Sequence, residues 1–410
     1  MMQEEHDKLG GSALAARTHF CWGCVPLVTM LFLVTLSQSA LSQPALSNRS
    51  PELMEALLDM DIEELSEVDI RTGQPGWFGT QLEQLPIKPY IHGYASMTYR
   101  DYDLNRTAAV DSFDMHYFNV LVGAKFGEQI AAETLLEYEH GGDDTGIRYA
   151  IIDYEFNESV TLRMGKFLVP IGKFNEFLTP EYANKLPDRP YCLWKIAPTV
   201  WAETGVQLRG QFDLPASRSV NYAVYVVNGL EQAANSDGSV AEGGNIRDMR
   251  GNNRDRKNSS KAVGGRIGFK PSRPWEFGIS YYTGAYTIDG RQNLSILDFD
   301  AEYRKAGWTV RGEYVQALEE TSGDDLHKHG FYTEAAYRWN RKFEPVVRYD
   351  RTNLDDGSGH DVSRSTVGLV FYPRPDLNPL FQFKASQSYV DDDGTGSSRH
   401  EFVLECVIGF

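Results

Sequence analysis

Seven charged side chains crowd one segment, residues 169–200, and they are the residues best placed to act on a solute. They are Lys173, Glu176, Glu181, Lys185, Asp188, Arg189 and Lys195. Fixed charges of both signs attract, repel and orient ions without making or breaking bonds, because Coulomb forces act on any charged solute. The pattern therefore predicts that these residues select among ions. The alternative for each residue is an ion pair that only holds the segment in place.

Catalysis is not indicated by the other reactive residues. A nucleophile needs a base within reach, and no Gly-x-Ser-x-Gly pattern occurs near any histidine. Cys192 and Cys406 lie far apart, have no metal-ligand spacing, and are expected to be free. We therefore predict no enzyme activity, no catalytic residue, no metal and no cofactor. The net charge of −17 argues against nucleic acid as a partner.

The charged segment is also stiff and aromatic. It contains five prolines, at positions 170, 180, 187, 190 and 198. Its aromatic residues are Phe174, Phe177, Tyr182, Tyr191 and Trp194. Proline restricts the backbone, and a compact loop with large side chains can pack on itself. The segment is therefore expected to hold its charges in fixed positions.

The elements that position this segment are predicted to be strands, because residues 86–410 alternate in polarity with a period of two. Stretches of about ten residues end at turn residues, as in transmembrane barrels. The predicted strands are 87–99, 112–126, 129–140, 146–156, 159–168, 201–213, 219–229, 259–269, 274–286, 294–304, 307–317, 327–339, 342–352, 361–372, 379–390 and 400–410. The prediction is an all-β, transmembrane antiparallel β-barrel of about sixteen strands.

One face of each predicted strand is apolar, and the other carries charge. In 307–317, Trp308, Val310 and Tyr314 oppose Arg311 and Glu313. The charged residues predicted to face the lumen are Glu133, Glu137, Arg163, Glu203, Arg209, Arg311 and Glu313. Buried charges need partners, so we interpret this face as the wall of a water-filled lumen. The carboxylates at 298, 300 and 302 are assigned to the same wall.

Connections between the predicted strands alternate between short and long. Barrels of the bacterial outer membrane have short periplasmic turns and longer outside loops. Segment 169–200 is the third of the outside loops by this count. A soluble β-sandwich has no reason to alternate in this way, so the lengths favour the barrel.

The last strand has one wholly apolar face and ends on an aromatic residue. Phe402, Ile408 and Phe410 lie on that face. They resemble the assembly signal of outer-membrane barrel proteins, which implies the barrel-assembly machinery as a partner. An apolar face on a spanning strand is expected to face lipid.

Short motifs around the charged segment resemble the phosphate-selective porin O/P-like family. They are Gly165-Lys166-Phe167, Val169-Pro170-Ile171-Gly172, Asn175-Glu176, Arg189-Pro190 and Trp201 to Gly205. The resemblance implies a sixteen-stranded, commonly trimeric porin whose third loop folds inward and constricts the pore, so that the seven charged residues of segment 169–200 are predicted to lie at the pore constriction. It also implies anion selectivity from basic residues in the lumen and at the constriction. This chain, however, contains no run of arginines that would form a row of positive charges along the pore.

The first 85 residues differ from the barrel. Residues 1–42 contain a short apolar core followed by small residues, which predicts a signal peptide; an N-terminal anchor is the alternative. Residues 43–85 are predicted to form a periplasmic segment, with an amphipathic helix over 51–70. That helix either packs near the barrel or contacts an envelope partner. Export then places the protein in the bacterial outer membrane.

The predicted function is an outer-membrane porin for passive diffusion of small ions or solutes. One alternative is a porin specific for phosphate, another anion or a sugar, and a second is a structural or lipid-active barrel without an open pore. Acidic outside loops could contact lipopolysaccharide through divalent cations. Because these loops and the lumen carboxylates are acidic, weak selectivity that favours cations at low salt is expected.

Overall fold

A computed structural model describes most of the chain after residue 86. The described residues are 87–102, 112–232, 245–251, 253–254, 259–355 and 361–410. The predicted signal peptide, 1–42, and the predicted periplasmic segment, 43–85, with its helix over 51–70, lie outside them and stay predictions. Among the described residues, no helix combines the length and apolarity needed to cross a membrane.

Sixteen strands account for most of the described residues. They are β1 Ile87–Tyr102, β2 Ser112–Phe126, β3 Ile130–Glu139, β4 Asp144–Asn157, β5 Val160–Leu168, β6 Ala202–Leu214, β7 Arg218–Val227, β8 Ala262–Ser272, β9 Trp275–Ala285, β10 Asn293–Lys305, β11 Trp308–Glu319, β12 Leu326–Tyr337, β13 Phe343–Asn353, β14 Asp361–Phe371, β15 Gln382–Asp392 and β16 Ser397–Gly409. Each begins and ends within about three residues of its prediction. The predicted strand order along the chain is confirmed.

The sheet closes on itself. Every strand pairs with its sequence neighbours, and β1 also pairs antiparallel with β16, with Tyr94 opposite Gly409. The Phe410 N–H donates to the Gly93 carbonyl at 2.9 Å, and the Gly93 N–H donates back at 2.8 Å. Closure leaves no unpaired edge, which a sheet inside a bilayer cannot tolerate. The predicted sixteen-stranded antiparallel barrel is confirmed.

The two faces of the last strand separate as predicted. Leu404, Ile408 and Phe410 are exposed on the outer surface, while Val403 and Glu405 are buried inside. Cys406 lies on the outer side, and both it and the buried Cys192 are free cysteines. The same alternation gives the barrel an apolar outer belt, which suits contact with lipid.

The connections distinguish two ends of the barrel. The turn end carries Phe410 and mostly short connections, and the loop end carries the others, including segment 169–200. Three connections break the rule, because residues 140–143 and 393–396 at the loop end are short and 372–381 at the turn end are long. The helical pieces are α1 Phe174–Phe177, α2 Tyr191–Lys195, and 3₁₀ turns at His140–Gly142, Glu181–Ala183 and Ile246–Met249.

The barrel interior beside β10 is packed with side chains. This finding corrects the expectation that the charged inner face of β10 is exposed to water. Asp298, Asp300 and Glu302 are between 0 and 5 % exposed. Segment 169–200 covers them, since its Phe174 and Leu193 join inward apolar side chains of the strands in one buried cluster. Apolar burial on this side offsets the cost of enclosing charged groups, which must then find partners.

Candidate functional site

One side chain ties both ends of segment 169–200 together. The Asn175 amide group donates to the carbonyls of Val169 and Trp201, each at 2.8 Å, and its oxygen accepts from the Trp201 N–H at 2.8 Å. The Val169 N–H also donates to the Trp201 carbonyl at 3.0 Å. The base of the segment is therefore closed next to β5 and β6.

The first part of the segment is bound to β9, β10 and β11. Lys173 Nζ lies 2.8 Å from Glu276 and 3.0 Å from Glu302. The Phe174 N–H donates to Glu313 at 2.9 Å. These carboxylates lie on the face opposite the apolar belt. The predicted lumen residue Glu313 thus holds a loop backbone group.

The later part of the segment is bound to β13 and β15. Lys185 Nζ lies 2.9 Å from Glu344, and the Tyr191 N–H donates to Asp350 at 2.9 Å. Lys384 donates to the Glu181 carbonyl at 2.6 Å. The partners are about 160 to 200 residues apart in sequence, so only the closed barrel brings them together.

The segment also reaches the opposite wall. Arg100 on β1 lies 2.6 Å from Asp188, and Arg189 donates to the Tyr117 hydroxyl on β2 at 2.8 Å. Arg209 on β6 lies 2.5 Å from Glu176. Contacts with strands on both sides leave only restricted space between the segment and β1 to β6.

Two inward glycines make room for the segment. A Cβ on Gly330 would collide with the Cys192 side chain, and a Cβ on Gly368 would collide with Leu186. A glycine in a strand often marks such a close approach. The sequence could have indicated these positions, because both lie on the charged face of their strands.

The other predicted lumen residues also make local contacts. Glu133 accepts from the hydroxyls of Tyr90 and Tyr149, at 2.8 and 2.6 Å. Glu137 pairs with Arg148, Arg163 with Asp153, Glu203 with the Trp201 indole N–H, and Arg311 with Glu334. Among the predicted constriction residues, Lys195 lies apart. Its Nζ is 5.8 Å from the centre of the Tyr191 ring, and it lines neither of the cavities described next.

A cavity of about 450 Å³ at the loop end, the loop-side cavity, gathers arginines that sequence reasoning did not connect. Its basic lining residues are Arg100, Arg148, Arg189, Arg247, Arg364 and Arg399. Its acidic lining residues are Asp114, Glu139, Glu181, Asp188 and Glu401. The arginines come from four strands and two loops, so no local pattern predicts their meeting.

Strand alternation does not predict the inward direction of the Arg148 side chain. The β3–β4 ladder shifts register, with Leu135 opposite Tyr149 and Leu136 opposite Ile147, so that Arg148 is an extra residue. Such a bulge changes the direction of a side chain. Arg148 consequently points inward and binds Glu137, although strict alternation would have placed it on the same face as the outward Ile152.

A second, larger cavity of about 830 Å³ lies at the turn end, the turn-side cavity. Its basic lining residues are Lys173, Lys185, Arg209, Arg266, Lys270, Arg304 and Arg338. Its acidic lining residues are Glu158, Glu176, Glu276 and Glu302. Bases outnumber acids in both cavities, although the whole chain carries a net charge of −17.

Two acids of segment 169–200 differ in protonation. Burial alone would raise the pKa of Asp188, but the guanidinium groups of Arg100 and Arg364 lower it to about 2. Burial raises the pKa of Glu181 to about 8, with the Glu405 carboxylate adding to the effect and Arg189 opposing it. At pH 7, Glu181 is therefore mostly neutral, and the basic surplus of the loop-side cavity grows.

A second loop packs on the segment from the loop end. Arg250 donates to the Val200 carbonyl at 2.6 Å, and Arg247 donates to the Thr199 carbonyl. The Arg247 guanidinium lies 3.2 Å from the centre of the Trp194 ring, a cation–π contact. Arg247 of this loop thus lines the loop-side cavity. The sequence carried no motif that indicated this contact.

Solved porin structures share the barrel. An anion-selective porin from Comamonas acidovorans superposes with a TM-score of 0.58 and 13% identity, covering 79% of this chain and 100% of that one. Salmonella typhi OmpF in complex with daunomycin gives 0.53 and 12%, covering 79% and 98%. OmpT of Vibrio cholerae in its trimer form gives 0.51 and 10%, covering 79% and 99%. At these identities, the similarity concerns the fold alone.

Sequence comparison identifies the family. An uncharacterized protein of Aquifex aeolicus is 28% identical over 345 residues, spanning 74% of this chain and 75% of its own length. The family described as phosphate-selective porin O and P matches residues 101–403. This match covers β2 to β15 completely and β1 and β16 in part. The chain therefore belongs to the family of phosphate-selective porins O and P.

Proposed function

We propose that segment 169–200 constricts the diffusion pathway of this outer-membrane porin and that the constricted pathway favours anions. The family and fold establish a channel for passive diffusion. The observation that carries the anion preference is the surplus of basic side chains in the cavities on both sides of the segment. The predicted absence of enzyme activity is retained as part of this proposal.

Contacts between the segment and the barrel wall support the constriction. Lys173, Lys185, Glu176 and Asp188 each form an ion pair with a strand residue, and Arg189 bonds to Tyr117 on β2. A segment held on both sides narrows the space that remains for solutes. Sixteen strands alone would leave a wide aqueous channel.

Anion preference departs from the expectation of cation preference that the sequence suggested. That expectation counted Asp298, Asp300 and Glu302 as acids facing water, but Asp298 and Asp300 are buried beneath the segment, and of the three carboxylates Glu302 alone lines a cavity. Permeating ions respond mainly to the charges that line the narrowest water-filled space, because salt screens more distant charges within about 10 Å at 0.1 M. The lining basic residues therefore outweigh the acidic composition of the chain.

Charge reversal in the cavities tests this function. We expect R304E/R399E to reduce the chloride-to-potassium permeability ratio by about fivefold or more, because reversing one charge about 8 Å away raises the energy of an anion by about 1 kcal/mol in water and lowers that of a cation equally. Arg304 and Arg399 line the turn-side and loop-side cavities, respectively. The measurement is the reversal potential of single channels in a salt gradient.

Controls for this experiment follow from the structure. Arg218→Glu carries the same charge change at the exposed start of β7, outside both cavities, and should leave the ratio unchanged. Raising the pH through about 8 ionises Glu181, so wild-type anion preference should weaken. Cation selectivity of the wild type at low salt would instead support the expectation drawn from sequence and reject the proposal.

The identity of the anion stays open within the proposal. Phosphate is favoured by the family name, and arginine groups bind oxyanions through paired hydrogen bonds. A sugar stays an alternative, because Phe177 and Tyr182 line the turn-side cavity and Tyr191 and Trp194 line the loop-side cavity, where aromatic rings are available to stack on a solute. Phosphate added to one side should reduce chloride current at lower concentration than sulfate or glucose if phosphate is the preferred solute.

Assembly with two further copies into a homotrimer is a second proposal. The Vibrio cholerae structure is described as a trimer, and the outer wall of β1 to β5 contains an apolar hollow of about 740 Å³. Small outward residues at positions 124, 132 and 150 lie in this hollow. They leave room for side chains of another copy.

Contact of the loop end with lipopolysaccharide is proposed on the acidic composition of the loops.

Phe410 tests the proposed recognition by the barrel-assembly machinery. We expect Phe410→Asp to lower the amount of folded barrel in the outer membrane several-fold. Its effect on the stability of the assembled barrel should be small, about 0–1 kcal/mol for a charge near the membrane interface. The yield is measured as the heat-modifiable fraction on gels, and Leu377→Asp, at another exposed apolar position, is the control. Equal yields of both variants would contradict recognition of Phe410.

Signal-dependent export and a periplasmic position of residues 43–85 remain part of the proposal. Both agree with the outer-membrane location of the family, because such barrels reach the membrane from the periplasm.

A further inference from the structure

Three successive hairpins at the turn end repeat the same pair of features, a tryptophan and a basic turn. The hairpins join β8 to β9, β10 to β11, and β12 to β13. The pairs are Arg273 with Trp275, Lys305 with Trp308, and Trp339 with Arg341 and Lys342. We call these seven residues the Trp–base arc. They lie side by side, because β8 to β13 are adjacent in the sheet.

The tryptophans of the arc lie on the outer surface. Trp275, Trp308 and Trp339 are 43, 48 and 62 % exposed. The Trp275 ring packs 4.7 Å from that of Tyr303, and the Trp308 ring 4.9 Å from that of Tyr337. Tryptophan and tyrosine concentrate at the membrane interface, where an amphipathic ring contacts both headgroups and acyl chains. The arc therefore lies at the headgroup level of the leaflet at the turn end.

The four bases of the arc are exposed, and among the described residues none forms an ion pair. They are Arg273, Lys305, Arg341 and Lys342. Neighbouring bases behave differently, because Arg304 pairs with Glu302 and Arg374 with Asp376. Unpaired cations at an interface attract the phosphate groups of lipids.

The opposite half of the turn end lacks this arrangement. The described hairpins that join β2 to β3, β4 to β5, and β6 to β7 contain no tryptophan. The first two expose Glu128 and Glu158 at their turns. Exposed Lys125 and Arg218 offset these two carboxylates, so these three hairpins do not carry the basic surplus of the arc.

We propose that the Trp–base arc binds anionic glycerophospholipids of the leaflet at the turn end. The basic side chains contact the headgroup phosphates, and the indole rings pack beside the glycerol backbone. The positive charge of the arc favours anionic lipids over zwitterionic ones. Because the three hairpins are adjacent in the sheet, this preference is expected on the side of the barrel that β8 to β13 form. The inference rests on the outer-membrane location of the family and is independent of the proposed constriction.

The tryptophans provide the assay, since brominated lipids quench indole fluorescence on contact. The porin is reconstituted in phosphatidylcholine bilayers that contain either brominated phosphatidylglycerol or brominated phosphatidylcholine. Trp194 and Trp201 lie inside the barrel and give a background that lipid does not reach. Trp77→Phe removes a tryptophan whose position is not described. The ratio of quenching gives the relative binding constant of the two lipids.

We expect the wild type to prefer phosphatidylglycerol about three- to tenfold at low salt, because each basic residue near the headgroups attracts anionic lipid. The variant R273Q/K305Q/R341Q/K342Q should reduce this ratio to about 1. The control K125Q/R218Q removes two exposed bases from the opposite half and should leave the ratio unchanged.

Three outcomes would overturn the proposal. The first is a wild-type ratio near 1. The second is an unchanged ratio in the quadruple variant or, should that variant fail to fold, in both K305Q and R341Q/K342Q. The third is weak quenching by both lipids, which would mean that another copy of the chain covers the arc. Heat-modifiable mobility verifies folding of each variant, and channel selectivity should stay at the wild-type value in all of them.

Discussion

Lys384→Met is expected to destabilise the folded barrel by about 3–5 kcal/mol, the usual cost of removing one partner of a buried ion pair. Lys384 Nζ lies 2.7 Å from Glu405 on the neighbouring strand, and both side chains are fully buried. It also donates to the Glu181 carbonyl. Without this cation, a carboxylate stays enclosed beside the segment with no opposite charge. Urea unfolding in lipid vesicles, followed by tryptophan fluorescence, measures the loss.

Two further variants separate charge from volume. K384M/E405L replaces the pair by apolar residues and should recover most of the lost stability, because it leaves no unpaired charge. Lys270→Met removes a half-exposed lysine from a weak pair at 3.6 Å and should cost at most about 1 kcal/mol. The explanation fails if K384M is no more harmful than K270M, or if the double variant is as unstable as K384M.

Deletion of residues 174–195 is expected to raise single-channel conductance about two- to threefold, since sixteen strands without an inward segment enclose a wide aqueous channel. The barrel should survive, because the hydrogen bond between Val169 and Trp201 lies outside the deletion and β5 still pairs with β6. The same deletion uncovers Asp298 and Glu313, so selectivity should move toward cations. Planar-bilayer recording gives both quantities.

A milder variant provides the control for this deletion. Asn175→Ala removes the three bonds that tie the ends of the segment together and should increase current noise with a smaller rise in mean conductance. A deletion variant with wild-type conductance and selectivity would show that the segment does not line the pathway. Resistance of the deleted barrel to unfolding in detergent at room temperature confirms that it has assembled.

Local chemistry determined the barrel and most of its strand limits. A period of two is visible in any ten residues, and turn residues mark where each strand stops. Thus Trp308, Arg311 and Glu313 could be assigned to their faces from the sequence alone. The prolines and charges of segment 169–200 likewise distinguish it from other connections without knowledge of any contact.

The tertiary structure alone decided which charges meet. Asp188 and Arg100 are 88 residues apart, and Lys185 and Glu344 are 159 apart. Such pairs depend on the register of strands that closure brings together, which strand periodicity does not encode. The bulge at Arg148 added a basic residue to the loop-side cavity, although strict alternation would place that residue on the outer face. Burial then removed Asp298 and Asp300 from the residues that face water. The sequence therefore determined the wall of the pore, whereas the packing of one loop against that wall decided which charges an ion encounters.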